Sequence, residues 1–270
     1  MIPNKIAILL ILLFVGSFQW TSAQESKALT KEELAKKLAN PIASLISVPF
    51  QNNMDLGIGP NNGSRNTLNI QPVVPISLGD KMNLITRWVQ PVISQYDISG
   101  EGTSEFGLSD AVVSAFFSPT QSAEGLTWGA GPVFLVPTAT DQLLGTEKFG
   151  VGPTAVALYQ SNGWTFGGLV NQIWSVAGND NRGDVNQMFI QPFMTYNWKS
   201  GAGIGGNFEI TQNWETNSTN AWFNPFVNAI TSLGNQKTQF LIGPRFNFTS
   251  SGVPSADFGV RAQLVFLFPK

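Results

Sequence analysis

From residue 46 onward the chain reads as segments of roughly ten to fourteen residues in which apolar and polar side chains alternate, divided by stretches rich in glycine, asparagine and serine. A period of two marks a strand with two unlike faces. Strands are expected near 46–56, 66–77, 82–94, 106–117, 126–136, 149–159, 164–175, 186–198, 202–212, 221–231, 237–248 and 257–268. The last shows the pattern most plainly, with Val260, Ala262, Leu264, Phe266 and Phe268 on one face and Arg261 and Gln263 on the other. Ile242, Pro244, Phe246 and Phe248 are likewise opposed to Arg245 and Asn247. A spacing of about 18 to 19 residues per strand and connection fits tilted membrane strands with roughly 9 to 11 residues in hydrocarbon. The expected fold is all-β: a transmembrane antiparallel β-barrel of about twelve strands, apolar toward lipid and polar toward its lumen.

The connections are of two kinds. Leu78-Gly79-Asp80-Lys81, Gln160-Ser161-Asn162-Gly163, Lys199-Ser200-Gly201 and Ser232-Leu233-Gly234-Asn235-Gln236 read as tight turns. Those between are mostly longer and more polar: Gly57 to Arg65, Gln95 to Glu105, Pro137 to Lys148, Ala177 to Val185 and Asn213 to Asn220. Ser118 to Gly125 is an exception, a longish link on the short-turn side. Short periplasmic turns and longer external loops would put both termini in the periplasm. Phe117, Trp128, Tyr159, Trp164, Trp198 and Phe268 fall near the short turns; Tyr96, Phe106, Phe149, Trp174, Trp214 and Trp222 fall near the long links. Two interfacial aromatic belts are expected from that placement.

Seven presumed strands carry a proline, in Gln71-Pro72, Gln90-Pro91, Gly131-Pro132, Gly152-Pro153, Gln191-Pro192, Asn224-Pro225 and Gly243-Pro244. Proline donates no ladder hydrogen bond. The alternation turns these prolines toward lipid and predicts local bulges; lateral openings for an apolar solute are the other reading.

Ahead of the strands, Lys5, the apolar run Ile6 to Val15 and Thr21-Ser22-Ala23 have the form of a secretory signal, with cleavage expected before Gln24. Thr30-Lys31-Glu32-Glu33 is a capping box opening a short helix, with Leu34, Leu38 and Ile42 as a thin apolar stripe and Asn40-Pro41 as its end. The expected organisation is a signal peptide at 1–23, a periplasmic segment with a short helix at 24–45, and an outer-membrane barrel at 46–270. The middle segment reads as a tail, a lid across the barrel mouth or a partner-binding helix.

Composition agrees with this picture and narrows the chemistry. Charged residues are 12% of the chain, about half the share usual in globular proteins. The net charge of −2 argues against nucleic acid as a partner. Neither cysteine nor histidine occurs, which removes disulfides, thiolate metal sites and the histidine base used by the outer-membrane phospholipase, the aspartyl-type protease and the lipid A deacylase. No enzyme activity, catalytic residue, metal or cofactor is expected.

Gly201-Ala202-Gly203-Ile204-Gly205-Gly206 matches the dinucleotide fingerprint, but Asn207 to Thr211 alternate as a strand where that fingerprint needs a helix. The ionisable lumen candidates are Asp110, Glu209, Arg245 and Arg261, with Arg87 of ambiguous parity. Opposite charges in a narrow polar interior predict ion pairs between walls. With Gln71, Gln90, Gln191, Asn224 and Gln263 they are also candidates for a constriction that orients a polar solute.

The run Asn40-Pro41-Ile42-Ala43-Ser44-Leu45-Ile46-Ser47-Val48-Pro49-Phe50-Gln51-Asn52-Asn53, then Leu68-Asn69-Ile70-Gln71-Pro72-Val73-Val74-Pro75, then Phe106-Gly107-Leu108-Ser109-Asp110 resembles the outer-membrane transporter family named after the meta-pathway of phenol degradation. In that family a Gly-Leu-Gly-Asp signature is common; Ser109 stands in place of its second glycine and Asp110 is kept. The resemblance implies a barrel that passes small, often aromatic or apolar, compounds.

The functional expectation is a narrow passive channel or uptake pore for small organic molecules, with outer-membrane lipid and the solute as its partners. The alternative is a non-transporting scaffold or surface-binding barrel with a filled lumen. Twelve strands lie between eight-stranded barrels, which side chains fill, and sixteen-stranded porins, which hold an open channel. A bore that is either restrictive or partly plugged follows, with residues 25–45 as the candidate plug.

Overall fold

The computed structural model describes residues 29–121 and 123–268; the expected signal peptide and its cleavage site lie outside them. A short helix α1 (Lys31–Leu38) precedes β1 (Ile46–Ile58), β2 (Gly63–Ile70), β3 (Val73–Ser77), β4 (Met82–Tyr96), β5 (Ser104–Leu108), β6 (Ala111–Pro119), β7 (Leu126–Val136) and β8 (Lys148–Ser161). The chain continues through β9 (Trp164–Gly178), β10 (Asn186–Asn197), β11 (Ala202–Asn213), β12 (Ser218–Leu233), β13 (Gln236–Ser251) and β14 (Phe258–Phe268). β2 and β3 are halves of one wall strand broken at Gln71-Pro72, and β5 and β6 are halves of another broken at Ser109-Asp110. Pairing is antiparallel all the way round, and β1 meets β14 from Ile46↔Phe268 to Leu56↔Phe258. The wall is thus a closed barrel of twelve strands with no free edge. Among the described residues no helix is long and apolar enough to cross a membrane.

Two of the expected long loops are tight turns. β1 and β2 run into the first, leaving only 59–62, and β11 and β12 run into the fifth, leaving 214–217. Asn62 (φ 54°) and Asn217 (φ 48°) supply the left-handed backbone these turns need, so pairing extends past the apolar band. The broader loops on that side are 97–103, 137–147, 179–185 and 252–257.

The outward face is mostly apolar, with aromatic residues at both ends. Phe117, Trp128, Tyr159, Trp164, Trp198 and Phe268 are all exposed at the short-turn end, where Trp164 stacks on Phe166 (5.4 Å) and meets Tyr196 (4.9 Å). Tyr96, Phe106, Phe149, Trp174 and Trp214 are exposed toward the other end. Trp222 departs from that group: it is buried in the lumen, since it shares the inward parity of Asn224 and Asn228 and lies opposite Glu209.

Six of the seven prolines are not at bulges; the exception is Pro91, opposite which the β5–β6 strand carries one extra residue, since β4 pairs Val92↔Leu108 on one side and Val89↔Val112 on the other. The β8–β9 ladder lapses between Val151↔Trp174 and Thr154↔Asn171, the β10–β11 ladder between Ile190↔Ile210 and Phe193↔Asn207, and the β12–β13 ladder between Phe223↔Phe246 and Val227↔Ile242. Register is the same on both sides of each lapse, so no extra residue is inserted. Further shifts lie away from the prolines, at Leu56/Ile58, Phe149/Gly150 and Ala221/Trp222. Pro91 also breaks the expected rule, since it shares the inward parity of Arg87 and Gln95, while the other six prolines face outward.

Glycine before proline has a steric cause. A Cβ on Gly152 would collide with the Gln172 carbonyl oxygen, and one on Gly243 with that of Pro225. Gly152→Ala is expected to destabilise the folded barrel by about 1–3 kcal/mol through this overpacking. Unfolding in urea followed by heat-modifiable gel migration measures it; an unchanged midpoint contradicts the steric reading.

Candidate functional site: the barrel lumen

The interior has two unlike halves. On the β3–β9 side Val73, Ile85, Phe116, Val156 and Leu169 form one buried cluster, with Phe189 of β10 against it, and Val133, Leu135 and Ile173 form another. Side chains fill this half like a protein core. The inward positions of β10 to β14 and β1 instead carry Gln191, Asn207, Glu209, Asn224, Asn228, Arg245, Gln263, Arg261, Asn53 and Asp55.

Four of the polar residues form a crossbar. Arg261 Nη2 lies 2.9 Å from both Glu209 carboxylate oxygens, although β14 and β11 are separated by two intervening strands. Arg245 sits between them, 3.6 Å from Glu209 and 3.3 Å from Asp55. Its Nε donates to Asn224 Oδ1 at 3.1 Å, and its guanidinium stacks 4.3 Å from the Trp222 ring. Arg261 Nε donates to Asn53 Oδ1 (2.8 Å), and Gln191 Nε2 donates to Glu209 Oε1 (3.2 Å). Arg245, Arg261 and Glu209 each have both a counter-charge and hydrogen-bond partners, the condition under which buried ions are tolerated, whereas Asp55 is held by its ion pair with Arg245 and its Oδ1 accepts no hydrogen bond.

Beneath the crossbar is a cavity of about 200 Å³ lined by Gln71, Arg87, Gln191, Asn207, Gln263 and Phe193 among others. Its floor is the segment that precedes β1. Thr30 caps α1, with Glu33 N–H donating to Thr30 Oγ1 (3.2 Å) and Thr30 N–H donating to Glu33 Oε2 (2.7 Å). The stripe on the segment then docks inside the wall: Leu34, Ala35, Ala43 and Leu45 pack on Ile230, Val265 and Leu267, with Leu38 partly buried beside them. Ile42 enters the apolar half against Ile85 and Phe116. Gln160 Nε2 donates to Lys36 O at 2.8 Å, so the segment touches strands on opposite sides of the short-turn mouth.

Two sequence candidates lie away from the crossbar. Gln90 has the outward parity of Trp88; its Nε2 donates to the Ser109 carbonyl (2.8 Å), which the break in the wall strand leaves free of its ladder. Asp110 clamps the longest loop: its carboxylate accepts from Ala139 N–H (3.2 Å), Thr146 N–H (2.6 Å) and Thr146 Oγ1 (2.6 Å). Loop 137–147 is tied in turn to loop 179–185, where Arg182 Nη2 donates to Gly145 O (2.5 Å) and Asn179 Nδ2 donates to Glu147 Oε2 (2.6 Å). The Lys148 ammonium, the Ser175 hydroxyl and the Lys148 charge hold the exposed Asp184 carboxyl below the ordinary carboxylate range. Asp110→Ala is expected to free loop 137–147, seen as faster protease cleavage there in proteoliposomes; equal cleavage rates contradict the clamp.

Asn53, Asp55 and Asn207 were not among the sequence candidates. Asn53 and Asp55 share the period of Gln51 opposite Phe50, a signal present in the sequence. Arg87 is settled by register, Val73↔Arg87 on one side and Arg87↔Ser114 on the other, both partners being buried in the lumen. Gly201 to Gly206 lead into and lie on strand β11, with no helix after them.

No protein-family model and no curated protein matches the chain. Among solved structures it is similar to an outer membrane channel from Pseudomonas putida F1, with a TM-score of 0.65, 14% sequence identity, and coverage of 92% of this chain and 100% of that one. OprB from Pseudomonas putida, in its low-pH structure, aligns with a TM-score of 0.36 and 9% identity over 84% of this chain and 92% of that one. The first likeness is one of fold: the same closed barrel built from a very different sequence.

Proposed function

We propose that the protein is a bacterial outer-membrane barrel, exported by its N-terminal signal, that acts as a narrow passive channel for small organic molecules and is closed by residues 29–45. The observation that carries this reading is the cavity in the polar half of the lumen, roofed by the crossbar and floored by a segment held through side-chain contacts. A wall meant only as a scaffold gains nothing from keeping polar space inside, whereas a solute path needs it. The outward apolar face with aromatics at both ends suits a bilayer, and the short-turn end with the segment faces the periplasm. The similar barrel from Pseudomonas putida F1 is an outer membrane channel, which points the same way. Small aromatic or apolar compounds are the proposed solutes, since one side of the lumen is apolar and the other hydrogen-bonding.

The packed apolar half favours the second reading, a filled non-transporting barrel. Liposome swelling with small sugars and phenols separates the two. A channel passes at least the smaller solutes, and faster when residues 24–40 are removed; no swelling in either form contradicts transport.

A further inference from the structure

We propose that the lumen cavity holds a carboxylate site centred on Arg87, so that the solutes this protein favours are compact organic monocarboxylates. The inference rests on the channel reading and narrows it. Arg87 reaches the cavity from β4, across the barrel from the β11 strand that carries Glu209. Among the described residues it has no carboxylate within ion-pair distance, and its hydrogen bond is the one from Nη2 to Gln71 Oε1 at 2.7 Å. Arg245 and Arg261 are matched by Asp55 and Glu209; Arg87 is the cation left over in this part of the lumen.

Two amides in the cavity lining are free to donate. Gln71 Oε1 already accepts from Arg87, and Asn207 Oδ1 already accepts from Asn224 Nδ2 (2.8 Å). Both amides therefore have their N–H groups left for another partner. A guanidinium with two amide donors is a set for an anion, and the planar guanidinium matches the two oxygens of a carboxylate. Phe193 and Phe226 line the same cavity and give the body of the solute an apolar surface. At about 200 Å³ the space suits a benzene-sized ring, since a cavity of roughly 150 Å³ is known to hold benzene. The Glu209 carboxylate is held by Arg245 and Arg261, which leaves Arg87 free to bind.

The test uses the full mature chain in detergent, with benzoate and its neutral isostere benzamide as probes in titration calorimetry. Benzoate is expected to bind, benzamide at least about tenfold more weakly, and Arg87→Gln to weaken benzoate by a similar factor while Arg87→Lys retains part of the affinity. Equal binding of the two probes to the unaltered protein overturns the site without needing any variant. Benzoate binding left intact by Arg87→Gln, in protein that still shows heat-modifiable migration, overturns it too. Failure of the channel is told apart by flux: swelling with no preference for benzoate defeats the site alone, and Arg87-dependent benzoate binding with no swelling defeats transport alone.

Discussion

Glu209→Gln is expected to destabilise the folded barrel by about 3–5 kcal/mol, the effect of removing one partner from a buried ion network. The change keeps the shape and one oxygen but discharges the group that Arg261 and Arg245 share. Those guanidiniums are only 3% and 6% exposed, so water cannot replace the lost charge, and Asp55 alone is left to balance both. Arg245 is the more tolerant, with Asn224 and the Trp222 face still in place. Adding Arg261→Met to Glu209→Gln should therefore recover a good part of the loss, because the cation that lost its partner is gone and Arg245 keeps Asp55. Urea unfolding in lipid vesicles, read by tryptophan fluorescence, measures both. Glu209→Gln with an unaltered midpoint, or a double variant less stable than the single one, contradicts the crossbar as described.

Removing residues 24–40 is expected to raise single-channel conductance in planar bilayers several-fold, from small steps to larger ones, because the narrowest bore of a water-filled path dominates its resistance. Leu34→Asp should give much of the same increase with no change in chain length. Leu34 is 1% exposed against Ile230, Val265 and Leu267, and burying such a side chain is worth about 1.5–3 kcal/mol. A carboxylate there cannot stay charged among those apolar groups, so the segment is driven out of the mouth. No conductance in any of the three forms contradicts a lumen path; equal conductance in all three contradicts the segment as its closure.

Much of the wall is legible in the sequence. Strands twelve residues or so long with opposite faces, such as β14, are set by a period of two that nothing else produces, and the capping box at Thr30 fixes the start of α1. Arg245, Arg261 and Glu209 can be placed inward on parity alone, and the structure brings them together. What parity cannot supply is where it changes. The one-residue break at Ser109-Asp110 reverses a face and leaves Asp110 as a loop clamp, whereas Trp222 follows the parity of Asn224 into the lumen, which its place near a long link does not show. Nor does a proline in a strand say whether it inserts a residue or simply leaves a ladder unpaired; that depends on the neighbouring strand. The division of the lumen into an apolar and a polar half is a property of the whole circuit, since no single strand carries it.

The most direct measurement of a closed path through the polar half exploits the absence of cysteine from the chain. Gln263→Cys points into the cavity, and Leu264→Cys, one residue on, points outward to lipid. In proteoliposomes a small charged thiol reagent is expected to modify Gln263→Cys slowly in the full chain and much faster once residues 24–40 are removed, while Leu264→Cys stays unmodified in both. Gln263→Cys that never reacts, with or without the segment, would mean a filled barrel and no path.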